Sequence, residues 1–164
     1  MMSGRAPLGV ALEFDLERVV GAPPEFVHHW WLEAGPSFET QVRSGVRQER
    51  TRSDPYHLTI RRWAASGRRS VYVESRVEVE SLHVWTCRKV STVDGVPLTE
   101  ESVRYTVSPV ADGTRFRLAF SITSPSRIRR GLLQLSGRRI REHRIGEVDD
   151  AVRRLLAERA RDRA

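Results

Sequence analysis

The stretch that decides the fold is "YTVSPVADGTRFRLAFSI", residues 105–122, in which two alternating segments flank a short polar turn. Strict alternation of apolar and polar residues is typical of strands that bury one face. The residues "ADG" at 111–113 favour a turn, because Asp and Gly tolerate the backbone angles that tight connections need. The stretch therefore predicts two antiparallel strands. One face of the first strand carries Tyr105, Val107 and Pro109, and one face of the second carries Phe116, Leu118, Phe120 and Ile122.

Further strands of the same kind precede this pair. "SVYVESRVEVE", residues 70–80, has valines or serine at every second position from Val71 to Val79. "YHLTIRRW", residues 56–63, places Leu58 and Ile60 on one side, whereas "GVRQERTR", residues 45–52, is mostly polar and favours a sheet edge. The predicted order is one strand, a short helical region, six consecutive strands and a final helix.

The short helical region is "PPEFVHHWWLEA", residues 23–34. Proline is favoured at the first helical position, which predicts a start at Pro24. At about 100° per residue, Trp30 and Trp31 fall on the inward face, and His28 and His29 on the opposite one. Adjacent histidines diverge and do not bind one metal as an i, i+4 pair would. We therefore expect both histidines at the surface and no metal site.

The final helix is predicted to follow "SPS" at 124–126, with Ser124 or Ser126 as its cap. Its first half contains Gly131 and Gly137, and each should mark a bend, a break or a close approach, because glycine costs about 1 kcal/mol in a helix interior. An antiparallel sheet that faces a long terminal helix is an α+β fold.

Length and composition narrow the class of protein. The chain has 164 residues, which predicts one domain, and its single cysteine, Cys87, excludes an intrachain disulfide or a cysteine-based zinc site. The N-terminus lacks the pattern of a signal peptide, and no apolar run is long enough to span a membrane. We expect a protein of the cytoplasm.

The net charge is +7, and Lys89 is the one lysine among 28 basic residues. Residues 126–164 contain 12 Arg against 6 Asp and Glu, so the positive excess is concentrated in the final helix. This helix is either a solvated outer face or a surface for nucleic acid or another anionic partner.

Three stretches resemble the START-like, or SRPBCC, superfamily of helix-grip proteins, which includes polyketide cyclase/dehydrase and lipid-transfer proteins. They are "FDLERVVGAPPEFVHHWW", "YTVSPVADGTRFRLAFSI" and the terminal "IGEVDDAVRRLLAE". The resemblance covers residues 8–160 as one domain, between a flexible N-terminus at 1–7 and a frayed C-terminus at 161–164. Residues 35–44 depart from the pattern, because they predict no clear second helix.

The resemblance implies a curved seven-stranded antiparallel sheet wrapped around the long C-terminal helix, with short helices after the first strand and an elongated apolar cavity. It implies a sheet wall formed by Leu58, Ile60, Val73, Ser75, Tyr105, Phe116 and Leu118. Trp30, Trp31 and Phe38 would lie near the helical end, and Leu132 and Leu135 of "GLLQLSG" would face the sheet. Alternatively, these side chains simply fill the core.

The register of "HVWTCRKV", residues 83–90, depends on the turn after Glu80. A two-residue turn sends Arg88 inward, where a buried cation would bind an anionic group of the ligand. A three-residue turn sends Cys87 and His83 inward instead. A thiol and base pair would then lack an orienting group.

Two functions follow from these observations. The first is binding of a small apolar, lipid-like or aromatic ligand in the cavity, by a carrier, a sensor or a cyclase/dehydratase, with Tyr105, Arg88 or Ser75 as candidates for proton transfer. The second is a macromolecular module in which arginines from Arg127 to Arg144 bind RNA or an acidic protein. We expect no cofactor and identify no catalytic constellation. A homodimer through sheet edges or Trp85 is left open.

Overall fold

The computed structural model describes residues 9–34, 46–66 and 68–164. It contains a seven-stranded sheet and three helices. The strands are β1 (Leu12–Val20), β2 (Val46–Asp54), β3 (His57–Ser66), β4 (Arg69–Ser81), β5 (Val84–Val93), β6 (Val96–Val110) and β7 (Gly113–Thr123), and the helices are α1 (Pro24–Ala34), α2 (Arg127–Leu135) and α3 (Gly137–Asp162).

All neighbouring strands are antiparallel, in the order β1-β7-β6-β5-β4-β3-β2. The first strand, β1, pairs with the last, β7, while β2 forms the far edge. This confirms the α+β architecture and the edge position expected for the polar segment at 45–52. Residues 35–45, including Phe38 and the segment without a clear second helix, lie outside the described residues.

Alternation along the strands places one face of the sheet against α1 and α3. Val103, Val107, Phe116 and Leu118 are buried on this inner face, as the sequence predicted. On the opposite side of the core, α3 contributes the buried residues Val148, Ala151 and Leu155.

Charged and polar contacts hold α3 onto this face. Arg18 of β1 donates to Asp149 at 2.7 Å, and the indole Nε1–H of Trp30 in α1 donates to Glu158 at 2.6 Å. The carboxylate of Asp149 is stabilised by the hydrogen bond from Arg18, which lowers its pKa. Both contacts lie towards the C-terminal half of α3, so that half is attached to both β1 and α1.

The terminal helix is divided at Ser136. Ser126 caps α2 and accepts from the backbone N–H of Arg129, which confirms one of the two predicted caps. Gly137 begins α3 where a Cβ would lie 3.0 Å from Leu12, so this glycine marks a close approach; nothing lies within 4 Å of such an atom at Gly131.

Candidate functional site

A cavity of about 100 Å³ lies between the inner face of the sheet and α3. Its apolar lining consists of Trp31, Val103, Tyr105, Leu118, Phe120 and Val148. Its polar lining consists of Arg62, Cys87, Lys89, Glu101, Arg144 and Glu147. The cavity lies where the helix-grip resemblance predicted one, but it is markedly more charged than an apolar ligand alone requires.

Aromatic rings form the wall of the cavity nearest to α1. Tyr105 of β6 stacks on Trp85 of β5, with ring centroids 5.2 Å apart and an angle of 7° between the planes. Trp31 meets Phe116 edge to face at 4.6 Å. Such arrangements suit the ring quadrupoles and contribute to stability beyond the area they bury. The wall is therefore built from rings that hold one another in place.

Cations from two strands enter the cavity on its other side. Arg62 follows Ile60 by two residues in β3, and Lys89 follows Cys87 by two in β5, so alternation turns both inward. The Nε–H of Arg62 donates to the side-chain oxygen of Gln48 at 3.2 Å. Desolvation lowers the pKa of Arg62, so its charge lies in a poorly hydrated place.

An ion pair separates this cavity from a wider groove. Arg144 of α3 donates to Glu101 of β6 at 2.6 Å and to Glu147 at 2.7 Å. The side chain of Glu101 is 8% exposed and that of Arg144 is 24% exposed. Both residues also line a groove of about 480 Å³, beside Leu133 of α2 and Ile140 and His143 of α3. The pair is thus shared by the two spaces.

A smaller recess of about 20 Å³ lies on the far side of Tyr105. Leu58, Ile60, Val77 and Trp85 line it, and Trp31, Cys87 and Tyr105 are common to the recess and the cavity. Ser75 is buried beside this region, opposite Ile60 in the sheet, and its hydroxyl has no hydrogen-bond partner among the described residues.

The phenol of Tyr105 and the thiol of Cys87 are held in their neutral forms. Desolvation raises the pKa of the Tyr105 phenol, and a hydrogen bond with Trp31 opposes that rise in part. Desolvation also raises the pKa of the Cys87 thiol, with a smaller opposing effect from Lys89. A protonated thiol is a weak nucleophile, which argues against thiol chemistry.

The register after Glu80 corrects one predicted ligand residue. The turn has two residues, since Ser81 pairs with Val84, but a bulge shifts the ladder so that Val79 pairs with Trp85. The bulge has the effect of an extra turn residue, so Cys87 faces inward and Arg88 is exposed on the outer face. The expectation that Arg88 reaches the ligand is therefore wrong. The predicted thiol and base pair is absent too, because His83 lies exposed in the turn.

Other predicted site residues divide into three groups. Trp31, Leu58, Ile60, Tyr105 and Leu118 line the cavity or the recess. Trp30 and Phe116 are buried in the adjoining core, Ser75 is buried, and Val73 is half-buried on the inner face without lining either space. Leu132 and Leu135 are exposed, which corrects the expectation that they face the sheet; Leu133 is the residue of α2 that turns inward to the groove.

Two expectations about aromatic side chains are also corrected. His28 is half-buried rather than at the surface, because its ring meets the edge of Trp85 at 5.0 Å. Trp85 is 1% exposed, which removes it as a dimer contact. The homodimer through sheet edges stays a prediction.

Sequence reasoning overlooked most of the charged residues in the cavity. Glu101 and Arg62 were not among the predicted site residues, and Arg144 was assigned to the arginines available to an outside partner. The alternation that placed Val103 and Tyr105 inward also predicts an inward Glu101, and the alternation of Leu58 and Ile60 predicts an inward Arg62. The signal was present, but charge was taken as a sign of exposure.

Two other kinds of feature are absent from the described part of the chain. Across residues 9–34, 46–66 and 68–164, no group of three or more His, Cys, Asp or Glu side chains is placed to hold a metal ion. In those same ranges, none of the helices combines the length and hydropathy needed to cross a membrane.

Comparisons with known proteins give the fold a name. No family model and no curated protein matches the sequence. Among solved structures, the chain is similar to the protein TTHA0849 from Thermus thermophilus, with 19% identity, coverage of 89% of this chain and 98% of the other, and a TM-score of 0.61.

Two further similar structures are aromatase/cyclases. The Zhui aromatase/cyclase from Streptomyces sp. R1128 has 11% identity, covers 88% of this chain and 93% of its own, and has a TM-score of 0.63. The di-domain aromatase/cyclase StfQ of the steffimycin biosynthetic pathway has 12% identity and a TM-score of 0.64, over 91% of this chain and 51% of its own. Together with the packing of the curved sheet against α3, these likenesses show that the chain has the helix-grip fold.

Proposed function

We propose that the protein binds a small, largely apolar molecule with one anionic or strongly polar group in the cavity between the sheet and α3. The observation that carries the proposal is that one cavity joins an aromatic wall to two inward cations. Trp31 and Tyr105 form the wall, and Arg62 and Lys89 supply the charge.

The wall favours an aromatic or lipid-like body. Small-molecule sites are mostly lined by apolar and aromatic side chains, with a few polar groups that fix orientation. Leu118 and Phe120 extend the apolar side of the cavity beyond the rings. Each square ångström of apolar ligand surface buried there contributes about 25 cal/mol.

The charge of the lining favours an anionic or polar group at the other end. Three cations, Arg62, Lys89 and Arg144, face two carboxylates, Glu101 and Glu147, so the lining has one excess positive charge. Both carboxylates are already ion-paired with Arg144. The ammonium group of Lys89 can donate three hydrogen bonds, and a carboxylate, enolate or carbonyl of the ligand would accept one of them.

The size of the cavity requires a path for entry. About 100 Å³ is less than the roughly 300–1,000 Å³ typical of sites for drug-sized ligands. The adjoining groove is several times larger, and the Glu101–Arg144 pair belongs to both spaces. We infer that a ligand enters from the groove when this pair opens, and that the occupied site includes part of the groove.

Binding is better supported than catalysis. General acid–base catalysis favours groups that titrate near neutral pH, whereas desolvation raises the pKa of both Tyr105 and Cys87. A carrier or sensor of the cytoplasm is therefore the first proposal.

Ring closure of a folded polyketide-like chain is the second candidate. A phenol that stays protonated, as Tyr105 does, can donate a hydrogen bond to a carbonyl, and the similar folds named above include aromatase/cyclases. In this candidate Tyr105 polarises the carbonyl that is attacked, and Glu147 of the same lining takes the proton from the attacking carbon. Arg62 or Lys89 then stabilises the resulting enolate. The cyclase candidate requires that the protein convert a poly-β-ketone substrate into a cyclised product, whereas a carrier would bind such a molecule without converting it.

The first test is native mass spectrometry of freshly purified protein, compared with the mass of the denatured chain. A discrete extra mass that is lost on unfolding supports an occupied cavity. A second test titrates the protein with anilinonaphthalene sulfonate, an aromatic anion. Lys89→Gln should weaken probe binding several-fold, whereas the neighbouring Arg88→Gln, on the outer face, should leave it unchanged. Equal effects of the two substitutions, or no saturable binding to the native protein, would refute the cavity as the site.

A further inference from the structure

Helix α2 exposes an apolar stripe. Ile128, Leu132 and Leu135 are 78%, 56% and 86% exposed. They are four and three residues apart, so they lie within an arc of about 60° on one face of the helix. Leu133, on another face of the helix, lines the groove. The stripe therefore points away from the core.

Arginines outnumber acids around this stripe. Arg127 and Arg129 lie on its two sides in α2, and Arg138 and Arg141 follow in the first turns of α3, whereas Arg139 lines the groove. The sequence has no Asp or Glu from residue 113 to residue 141. Arg138 is paired with Glu142 at 2.9 Å, while Arg127 and Arg141 are exposed. The exposed residues of this surface, here called the α2 face, combine aliphatic side chains with excess positive charge; they are Arg127, Ile128, Leu132, Leu135, Arg138 and Arg141.

We propose that the α2 face docks the protein on an anionic membrane surface. A helix with aliphatic residues on one side and arginines around them lies in the plane of such a surface, with its apolar side among the acyl chains. Each arginine close to the surface adds attraction to anionic headgroups. The proposal rests on this surface and does not depend on a ligand in the cavity.

Other occupants fit the α2 face less well. RNA recognition by stacking needs aromatic side chains, and residues 127–141 contain no Phe, Tyr or Trp. A second copy of the chain would bring two surfaces with excess positive charge together, which is unfavourable. An acidic protein would satisfy the charges, so the experiment below separates that case from a membrane.

The position of the α2 face gives docking a consequence. Leu133 and Ile140, from the same two helices, line the groove. Docking through the opposite side of α2 would therefore hold the groove close to the lipid surface. If the cavity takes a lipid-like ligand, as proposed above, the ligand would move between membrane and groove without crossing bulk water.

The test is sedimentation of the full chain with unilamellar vesicles, made either of phosphatidylcholine alone or of phosphatidylcholine with phosphatidylserine. We expect binding to the anionic vesicles only, and weaker binding as salt is raised. Leu132→Ser with Leu135→Ser should lower the partition coefficient about tenfold or more. The matched control is Leu82→Ser, in the turn after β4, where leucine is 55% exposed.

The charges are tested in the same way. Arg127→Gln with Arg141→Gln should lower binding about twenty-five-fold, because each arginine near an anionic surface contributes about fivefold. The control is Arg69→Gln with Arg88→Gln, two exposed arginines of the sheet. Absence of sedimentation at low salt overturns the proposal. So does vesicle binding that the leucine substitutions leave unchanged, or tighter binding to polyglutamate or RNA than to the anionic vesicles.

Discussion

The Glu101–Arg144 pair should be a main tie between the sheet and the N-terminal half of α3, and Glu101→Gln tests this. Removing one partner of a buried pair costs about 3–5 kcal/mol when the other charge is left uncompensated. Here Arg144 keeps Glu147 at 2.7 Å and is itself 24% exposed. The expected loss is therefore about 1.5–3 kcal/mol of unfolding free energy, the range for a hydrogen bond to a charged group.

The measurement is urea unfolding followed by circular dichroism, with thermal unfolding beside it. In a domain of this size the loss corresponds to a fall in Tm of about 3–12 °C. Glu100→Gln is the matched control, because Glu100 is the preceding residue of β6 and is exposed on the outer face. It should change stability by less than about 0.5 kcal/mol.

The same substitution should also affect entry to the cavity. If the pair limits passage from the groove, the association rate of anilinonaphthalene sulfonate should rise in Glu101→Gln and stay at the native value in Glu100→Gln. Equal stability of the two variants would refute the energetic argument. A loss of stability with an unchanged association rate would refute the role of the pair in entry alone.

Three further predictions concern buried groups. Burial lowers the pKa of His28 below 6.5, so the unfolded chain binds more protons than the folded protein, and the unfolding free energy should fall as the pH drops from 6.5 through the lowered pKa. Urea titrations at several pH values should show this dependence in His29→Gln and its loss in His28→Phe. Phe116 is fully buried, and Phe116→Ala should lower the free energy of unfolding in urea by about 3–5 kcal/mol. A loss below about 1 kcal/mol would mean that the aromatic side chains around it repack freely. Burial raises the pKa of Cys87, so iodoacetamide should alkylate it slowly at neutral pH in the folded protein and rapidly in urea; equal rates measured by mass spectrometry would contradict its placement in the cavity.

The fold was accessible from sequence because alternation and the helical period depend on local spacing. The hairpin of residues 105–122 and the start of α1 at Pro24 were both predicted correctly, and both depend on turn and capping residues within a few positions of one another. The inward faces of β3, β4, β6 and β7 followed from the same alternation.

The charged part of the cavity was harder to predict, for two physical reasons. First, Arg62 and Glu101 are inward only because partners such as Gln48 and Arg144 offset their desolvation, and those partners are distant in the sequence. Second, the side of Arg88 was decided by one bulge residue in β4, and a shift of one residue exchanges the two faces of a strand.

The expectation for Leu132 and Leu135 failed for a different reason, because the helical period was not applied to them. Ser136 divides the terminal helix, and its backbone N–H bonds to the carbonyl oxygens of Leu132 and Gln134. The period nonetheless continues across Ser136: at about 100° per residue, Leu133 falls within about 60° of Val148 and Leu155. Leu132 and Leu135 fall on the opposite side, which is where they are exposed. Gly137, packed against Leu12, fixes where the second helix begins.

The two ends of α3 are attached to the sheet in different ways, and this difference bears on how a ligand enters. The part of α3 that follows Glu147 is buried at Val148, Ala151 and Leu155. In the same part, Asp149 is ion-paired with Arg18 of β1, and Glu158 accepts a hydrogen bond from Trp30 of α1. Between residues 138 and 147 no residue of α3 is fully buried, and Arg144 supplies the bond to the sheet. Displacement of α2 and this first part of α3 would thus expose little of the apolar core. It would break the Glu101–Arg144 ion pair, but Arg144 would keep its second partner, Glu147. The groove, the ion pair and the cavity lie in that order from the α2 face inward, so the least costly opening is also the one that leads from the proposed membrane side to the aromatic wall.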